Sequence, residues 1–224
     1  MILDLDLKNK QVVIVGGGPE AYRKVVSFLD AGSKVLVVSL TFLHEIHTLY
    51  ELKKIRLQKE NIQDAQSFIS SLENVPDVLV AVTNDPDLNS QLVTVGKVAG
   101  CMVYAVDNPE ISDFMLPALA KIDDVRIAVS TQGASPSMAR VLRQRIEKMI
   151  SKQDLLQIKL QEFVRAELKQ KISDQKIRKI VLSEIIEDPQ IQKLLKKGNM
   201  EHAKQFALDI ANSFQEQNSV NGEV

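Results

Sequence analysis

Short apolar runs alternate with longer amphipathic stretches over the first half of the chain. The runs are rich in β-branched residues, which predicts strands; they lie at Gln11–Val15, Lys34–Val38, Ile55–Leu57, Asp77–Val82 and Met102–Val106. The stretches between them have helical spacing and predict helices at Pro19–Ala31, Phe42–Leu52, Ala65–Leu72 and Asp87–Ala99. Continuous apolar strands that alternate with helices are typical of a parallel sheet covered on both faces. We therefore expect an α/β fold.

The pattern changes after the fifth predicted strand. Two apolar runs, Phe114–Lys121 and Val125–Thr131, are separated by Ile122–Asp124, which predicts a β-hairpin. A helix from Ser135 to about Ile150 follows, and helical periodicity continues from there onward. Seven of the nine glycines and six of the seven prolines fall within residues 1–150, as expected where turns are frequent. These changes predict three regions, with bounds at 1–111, 112–150 and 151–224.

Composition narrows the class of protein. The 28 basic and 29 acidic side chains leave a net charge of −1, so no excess of positive charge favours a nucleic-acid partner. No apolar run reaches the roughly 18 residues that a membrane span requires. The single cysteine, Cys101, excludes an internal disulfide. We therefore expect a soluble, cytoplasmic protein with neither a membrane nor a nucleic-acid partner.

A glycine-rich loop carries the strongest chemical signal. It fits the pattern G-x-G-x-x-A directly after a strand and before a helix, and consists of Gly16, Gly17, Gly18, Pro19, Glu20 and Ala21. In dinucleotide-binding proteins the first glycine makes the tight turn, the second lets the backbone approach a pyrophosphate, and the last small residue keeps the helix close to the strand. The free N–H groups of the helix's first turn then face the phosphates. The alternative is a glycine turn that serves packing alone.

The type of nicotinamide cofactor stays open at this point. An acidic residue for the ribose 2′-hydroxyl is expected about 20 residues after the loop, and Ser39 stands there instead, without an adjacent Arg. Both NAD and NADP are compatible with a serine. Thr83 and Asn84 follow the fourth strand and are expected to contact the cofactor, although Asn84 or Asp85 before Pro86 is also good helix-capping chemistry.

Two further places are candidates for substrate chemistry. Asp107 follows the fifth strand at the sheet's carboxyl edge, but Asp-Asn-Pro is also an ordinary turn sequence. Ser135 is a natural helix N-cap, and Arg140 and Arg143 share a face of the helix that it begins. Two arginines near an open helix start suit a polycarboxylate, whereas solvated surface charges are the alternative.

The histidines and the cysteine do not suggest a metal site. His44 and His47 lie three residues apart on a predicted helix with no third ligand nearby, and are expected to lie on the surface. Cys101 precedes a predicted buried strand and is expected to be inert core.

Taken together, several ordered motifs resemble the precorrin-2 dehydrogenase family, the N-terminal part of siroheme synthases, over about residues 2–150. The motifs are Leu5–Lys8, Gly16–Lys24, Ala81–Pro86 with Asn89, Val106–Pro109, Phe114–Ala118 and Ile127–Arg140. The glycine loop alone is common, but Phe-Met-x-Pro followed by Val-Ser-Thr-x-Gly-x-Ser-Pro is specific. The resemblance implies a Rossmann-like NAD-binding domain over 1–111 and a dimerisation and substrate-binding region over 112–150. The helical domain over 151–224 is expected from its periodicity.

The resemblance also implies an activity. Family members oxidise precorrin-2 to sirohydrochlorin with NAD, some also insert Fe²⁺ to give siroheme, and the family forms homodimers. The family's important aspartate falls on Asp107, and its loop hydroxyl falls on Thr131, where Ser is more usual. Together with Ser135, Arg140 and Arg143, Thr131 is therefore expected to bind the substrate. Two other classes stay open, a non-catalytic nucleotide sensor and a tetrapyrrole-binding regulatory protein, because a fold does not determine function.

Overall fold

The computed structural model describes residues 2–220, with side chains up to residue 214. The chain divides into two compact units, Met1–Leu116 and Pro117–Val224, called unit 1 and unit 2 below. In the part of the chain that the structure describes, no helix is both long enough and apolar enough to cross a membrane.

Unit 1 contains a parallel sheet of five strands. They are β1 (Gln11–Val15), β2 (Lys34–Ser39), β3 (Arg56–Lys59), β4 (Val78–Ala81) and β5 (Met102–Ala105). Their order is β3-β2-β1-β4-β5, and every neighbouring pair is parallel. The strand order reverses between β1 and β4, where Val15 pairs with Ala81 at the carboxyl ends. This confirms the predicted α/β, Rossmann-like fold and creates a crevice at the switch point.

Helices cover both faces of this sheet. They are α1 (Pro19–Asp30), α2 (His44–Glu51), α3 (Ala65–Ser71) and α4 (Pro86–Ala99), with a short 3-10 helix at Pro109–Ile111. Val13 and Val15 of β1 pack on the side of α3 and α4, whereas Val12 and Ile14 pack on the side of α1 and α2. Because both sets of side chains are buried, the strand reads as one continuous apolar run.

Unit 2 begins with the predicted hairpin. Its strands are β6 (Ala118–Ile122) and β7 (Val125–Val129), which pair antiparallel, and α5 (Pro136–Met149) follows. The first strand is shorter than the apolar run Phe114–Lys121 predicted. Pro117 lacks an N–H donor, and the Phe114 ring packs on Tyr104 of unit 1 with 5.4 Å between ring centroids. The start of that run therefore completes the core of unit 1 and is not part of the hairpin.

The remaining helices of unit 2 share a core. They are α6 (Lys152–Lys171), α7 (Gln175–Glu187), α8 (Pro189–Lys196) and α9 (Met200–Val220). Buried Leu160, Val164 and Leu168 recur every four residues along α6. The fully buried alanines of α9, at 203, 207 and 211, have the same spacing and let neighbouring helices approach closely. The helical prediction from Ser151 onward is confirmed as far as Val220, and residues 221–224 lie outside the described part.

Candidate functional site

A cleft of about 630 Å³ opens at the carboxyl edge of the sheet in unit 1. Its volume lies within the range of small-molecule sites. All nine residues predicted to bind the cofactor line it, namely Gly16, Gly17, Gly18, Pro19, Glu20, Ala21, Ser39, Thr83 and Asn84. The structure therefore brings together in one cavity residues that the sequence scatters over about 70 positions.

The three glycines of the loop meet different surroundings. Gly16 has a φ of +135°, and a β-carbon there would lie 2.4 Å from the carbonyl oxygen of Val82. A β-carbon on Gly17 would lie 1.9 Å from the carbonyl oxygen of Thr41. A β-carbon on Gly18 would meet no protein atom within 4 Å. Packing of the protein itself therefore requires the first two glycines but not the third, as expected if Gly18 lets a ligand approach the backbone.

Helix α1 starts at this loop without a side-chain cap. Gly18 is the N-cap residue and makes no side-chain hydrogen bond, and Pro19 occupies the first turn. In contrast, Asp64 and Asp85 accept backbone N–H groups at the starts of α3 and α4. The first turn of α1 therefore keeps N–H donors and a positive dipole end for an anionic ligand.

Several lining residues were not predicted from the sequence. They follow the carboxyl ends of β2 and β3 and comprise Leu40, Thr41, Phe42, Leu43, Glu60, Asn61 and Ile62. The Leu43 N–H donates to the carbonyl oxygen of Gly17 at 2.8 Å, which ties the segment after β2 to the glycine loop. Their position directly after a strand could have indicated that they line the cleft, because the same position identified Ser39.

A buried amide connects two of the predicted residues. Asn89 of α4 is 1% exposed, and its Oδ1 accepts hydrogen bonds from the Thr83 N–H at 3.1 Å and the Thr83 hydroxyl at 2.8 Å. Its Nδ2 donates to the Thr83 carbonyl oxygen at 3.2 Å and to Oδ2 of Asp107 at 3.1 Å. Asp107 itself is exposed and does not line the cleft. Asn89 therefore joins the loop after β4 to the candidate catalytic carboxylate.

The four residues predicted to bind substrate lie in one segment of unit 2. Ser135 caps α5 by accepting the Met138 N–H at 3.3 Å, and the Thr131 hydroxyl accepts the Ser135 N–H at 3.1 Å. Arg143 is half-buried and forms an ion pair with Glu147, whereas Arg140 is exposed. Arg140 is therefore the more available of the two guanidinium groups.

Cys101 and the two histidines have the burial that the sequence predicted. Cys101 is buried, and burial raises the pKa of its thiol, which disfavours the reactive thiolate. His44 and His47 are exposed on α2. Among the described residues, no three His, Cys, Asp or Glu side chains are grouped so that they could hold a metal ion.

Two family models match parts of this chain. Residues 3–118 match a family described as putative NAD(P)-binding, and residues 124–149 match one described as sirohaem biosynthesis protein central. Siroheme synthase of Methylococcus capsulatus is 32% identical over 211 residues, which cover 93% of this chain and 43% of the relative. Siroheme synthase of Tolumonas auensis is 30% identical, with 91% of this chain and 42% of the relative covered. The chain thus spans less than half the length of these relatives.

A solved structure shares the fold. SirC, a precorrin-2 dehydrogenase, superimposes with a TM-score of 0.72 at 21% identity, covering 93% of this chain and 99% of that one. The NAD(P)-binding match covers more than half of the 224 residues and agrees with the predicted nicotinamide cofactor. This chain therefore belongs to the putative NAD(P)-binding family whose model matches residues 3–118, and it is similar to siroheme synthases over most of its own length.

Proposed function

We propose that this protein oxidises precorrin-2 to sirohydrochlorin, with NAD as the hydride acceptor. The observation that carries the proposal is the hydrogen-bonded connection from the cleft to Asp107. Thr83 lines the cleft, Asn89 bonds to Thr83, and Asp107 bonds to Asn89. A candidate proton acceptor is thereby held at the same sheet edge as the candidate nucleotide site.

The residues of the cleft fit a dinucleotide. The uncapped start of α1 suits the pyrophosphate, and the backbone at Gly18 is open to its approach. Ser39 lines the same cleft, and its hydroxyl can bond a ribose. When bound, NAD supplies the hydride acceptor. The protein's part in the reaction is to orient the two reactants and to accept the proton that leaves with the hydride.

Asp107 is the group to which we assign the proton. Its side chain is exposed, so a substrate can reach it, and the amide of Asn89 holds one carboxylate oxygen in a fixed orientation. A positioned carboxylate of this kind acts as a general base or orients a macrocycle N–H group.

We assign recognition of the substrate's carboxylates to Thr131, Ser135, Arg140 and Arg143. The exposed guanidinium of Arg140 and the start of α5 can each bind an anionic group. Arg143, already paired with Glu147, contributes to the positive charge of the same helix.

We further propose that the protein is a homodimer built mainly from residues 112–215. An apolar stripe runs along α5, formed by Met138, Leu142, Ile146 and Met149, which are 45%, 36%, 38% and 75% exposed. An apolar stripe on one helical face is costly in water and is stabilised when a partner surface covers it. A second copy of the chain is the partner that the family resemblance implies.

One assay tests the activity. Purified protein is given precorrin-2 and NAD, and the formation of NADH and sirohydrochlorin is followed by absorbance. Turnover supports the proposal, whereas nucleotide binding without turnover favours a sensor, and tetrapyrrole binding alone favours a regulatory protein. Adding Fe²⁺ as a co-substrate to the same assay shows whether siroheme is also formed. We place the activity in the cytoplasm, which fractionation of the source cells tests.

A further inference from the structure

The carboxyl ends of β2 and β3 bring an acidic side chain next to the predicted ribose position. Ser39 is the last residue of β2 and pairs with Lys59, the last residue of β3. Glu60 comes next, and its N–H donates to the carbonyl oxygen of Ser39 at 3.1 Å. Both Ser39 and Glu60 line the cleft. A carboxylate, absent from the end of β2 itself, is therefore present on the residue that follows the adjacent strand.

The charges of the cleft have one sign. Of the described residues that line it, the charged ones are Glu20 and Glu60, and both are acidic. Glu20 forms an ion pair with Arg23, so its charge is partly balanced. Glu60 is half-buried and accepts a hydrogen bond from the neutral amide of Gln58. Among the described residues no cation pairs with it, so its negative charge remains uncompensated at the wall of the cleft.

A carboxylate in this place distinguishes the two nicotinamide dinucleotides. It can accept a hydrogen bond from the ribose 2′-hydroxyl of NAD. The 2′-phosphate of NADP carries about two negative charges near neutral pH, and repulsion from a partly buried carboxylate opposes its binding. We propose that Glu60 makes this protein prefer NAD over NADP, an inference that rests on the proposed nucleotide site.

Binding of the two nucleotides to the full chain tests the role of Glu60. Dissociation constants for NAD and for NADP are measured by calorimetry for the wild type, for Glu60→Gln and for Glu73→Gln. Glu73 is an exposed carboxylate of unit 1 outside the cleft, so its variant is a matched control for the change in net charge. We expect Glu60→Gln to tighten NADP binding about tenfold, the order of magnitude for a partly solvated charge pair. Its affinity for NAD should change little, because glutamine still bonds a hydroxyl.

The dependence on salt gives a second readout. Repulsion between charges is screened by added salt. Added salt should therefore lower the ratio of the NADP dissociation constant to the NAD dissociation constant in the wild type and in Glu73→Gln. The same ratio should change much less in Glu60→Gln. If Glu60→Gln still binds NAD and has the same ratio of dissociation constants as the wild type, Glu60 does not determine the preference, and the proposed function remains intact. If the wild type binds neither nucleotide, the proposed function fails as well. Melting curves of all three proteins confirm that each is folded.

Discussion

Gly17 and Gly18 are neighbours in the chain, but a β-carbon added to each would have different surroundings. Gly18→Val should abolish NAD binding while the melting temperature stays near that of the wild type, because φ of −88° and ψ of −171° suit a β-branched residue. Gly17→Ala should lower the melting temperature, because its β-carbon would lie 1.9 Å from the Thr41 carbonyl oxygen. Nucleotide titration and thermal unfolding of both variants measure this. Equal NAD affinity in Gly18→Val and the wild type would rule out the loop as the pyrophosphate site.

Asp107 can be tested by a substitution that keeps its size. Asp107→Asn should lower the turnover of precorrin-2 by roughly 10²–10⁴, the usual contribution of a positioned acid or base, with little change in stability. Glu110→Gln removes an exposed carboxylate three residues away and should leave turnover unaffected. The measurements are sirohydrochlorin formation and melting temperature for each protein. Near-normal turnover in Asp107→Asn would assign Asp107 to the turn alone, where a loss of about 1 kcal/mol in stability is expected.

Asn89 and Glu60 show where reasoning from the sequence stops. The glycine loop could be predicted because its pattern and its flanking strand and helix are contiguous in the chain. Asn89 acquires its role from Thr83 and Asp107, which reach it from the ends of two different strands. Glu60 acquires its role from the pairing of β2 with β3. Contacts between distant segments have no local signature, so neither residue could be assigned a function before the fold was known.

At the scale of elements, the predicted strands were most accurate where both faces are buried. All four residues of β4 are buried, and its apolar run was recognised. β3 lies at the edge of the sheet and consists of Arg-Leu-Gln-Lys, none of which is buried, so only a weak strand at Ile55–Leu57 was predicted. An edge strand need not be apolar, and charged residues there discourage pairing with other chains. The sequence signal for a strand is therefore weakest at β3, the strand that Glu60 follows.

An ion pair connects the amino ends of two central strands. Lys10, before β1, donates a hydrogen bond to Asp77, before β4, at 2.9 Å, and the Gln11 N–H donates to the same carboxylate at 2.8 Å. These hydrogen bonds, led by that from Lys10, lower the pKa of Asp77 below its ordinary value. Because the folded-state pKa is lowered, the stabilisation is fully present above the unfolded-state pKa of about 3.9 and is lost as the pH falls through the folded value.

The Asp77→Asn variant should therefore have a lower free energy of unfolding than the wild type at pH 7. The difference should shrink below about pH 4, because the unfolded wild type then binds a proton at Asp77 and the stabilisation declines as the pH falls towards the folded-state pKa. Urea unfolding at pH 7 and at pH 3 measures both quantities, with Glu73→Gln, an exposed acid outside the helices of unit 1, as the control. A difference that is equal at the two pH values would contradict this role for the charge.

At the scale of the whole molecule, the apolar stripe on α5 predicts the assembly. Leu142→Glu places a charge at the centre of the stripe and should convert a dimer into a monomer, because burying an unpaired carboxylate is strongly unfavourable. Gln144→Glu adds the same charge on the opposite face of α5 and should leave the dimer intact. Light scattering at micromolar concentrations gives the mass of each protein. A wild type that is monomeric throughout this range would refute the proposed homodimer.

The glycine at position 18 also raises the conformational entropy of the unfolded chain. Glycine has more conformational freedom than any other residue when the chain is unfolded, and a residue that could adopt the same backbone angles would lose less of it on folding. At Gly18 the backbone angles and the absence of protein atoms within 4 Å would accept a side chain. The protein therefore forgoes roughly 0.4–1 kcal/mol of stability at this position. A side chain at this position would favour folding, so the glycine is expected to serve the proposed approach of a ligand to the backbone.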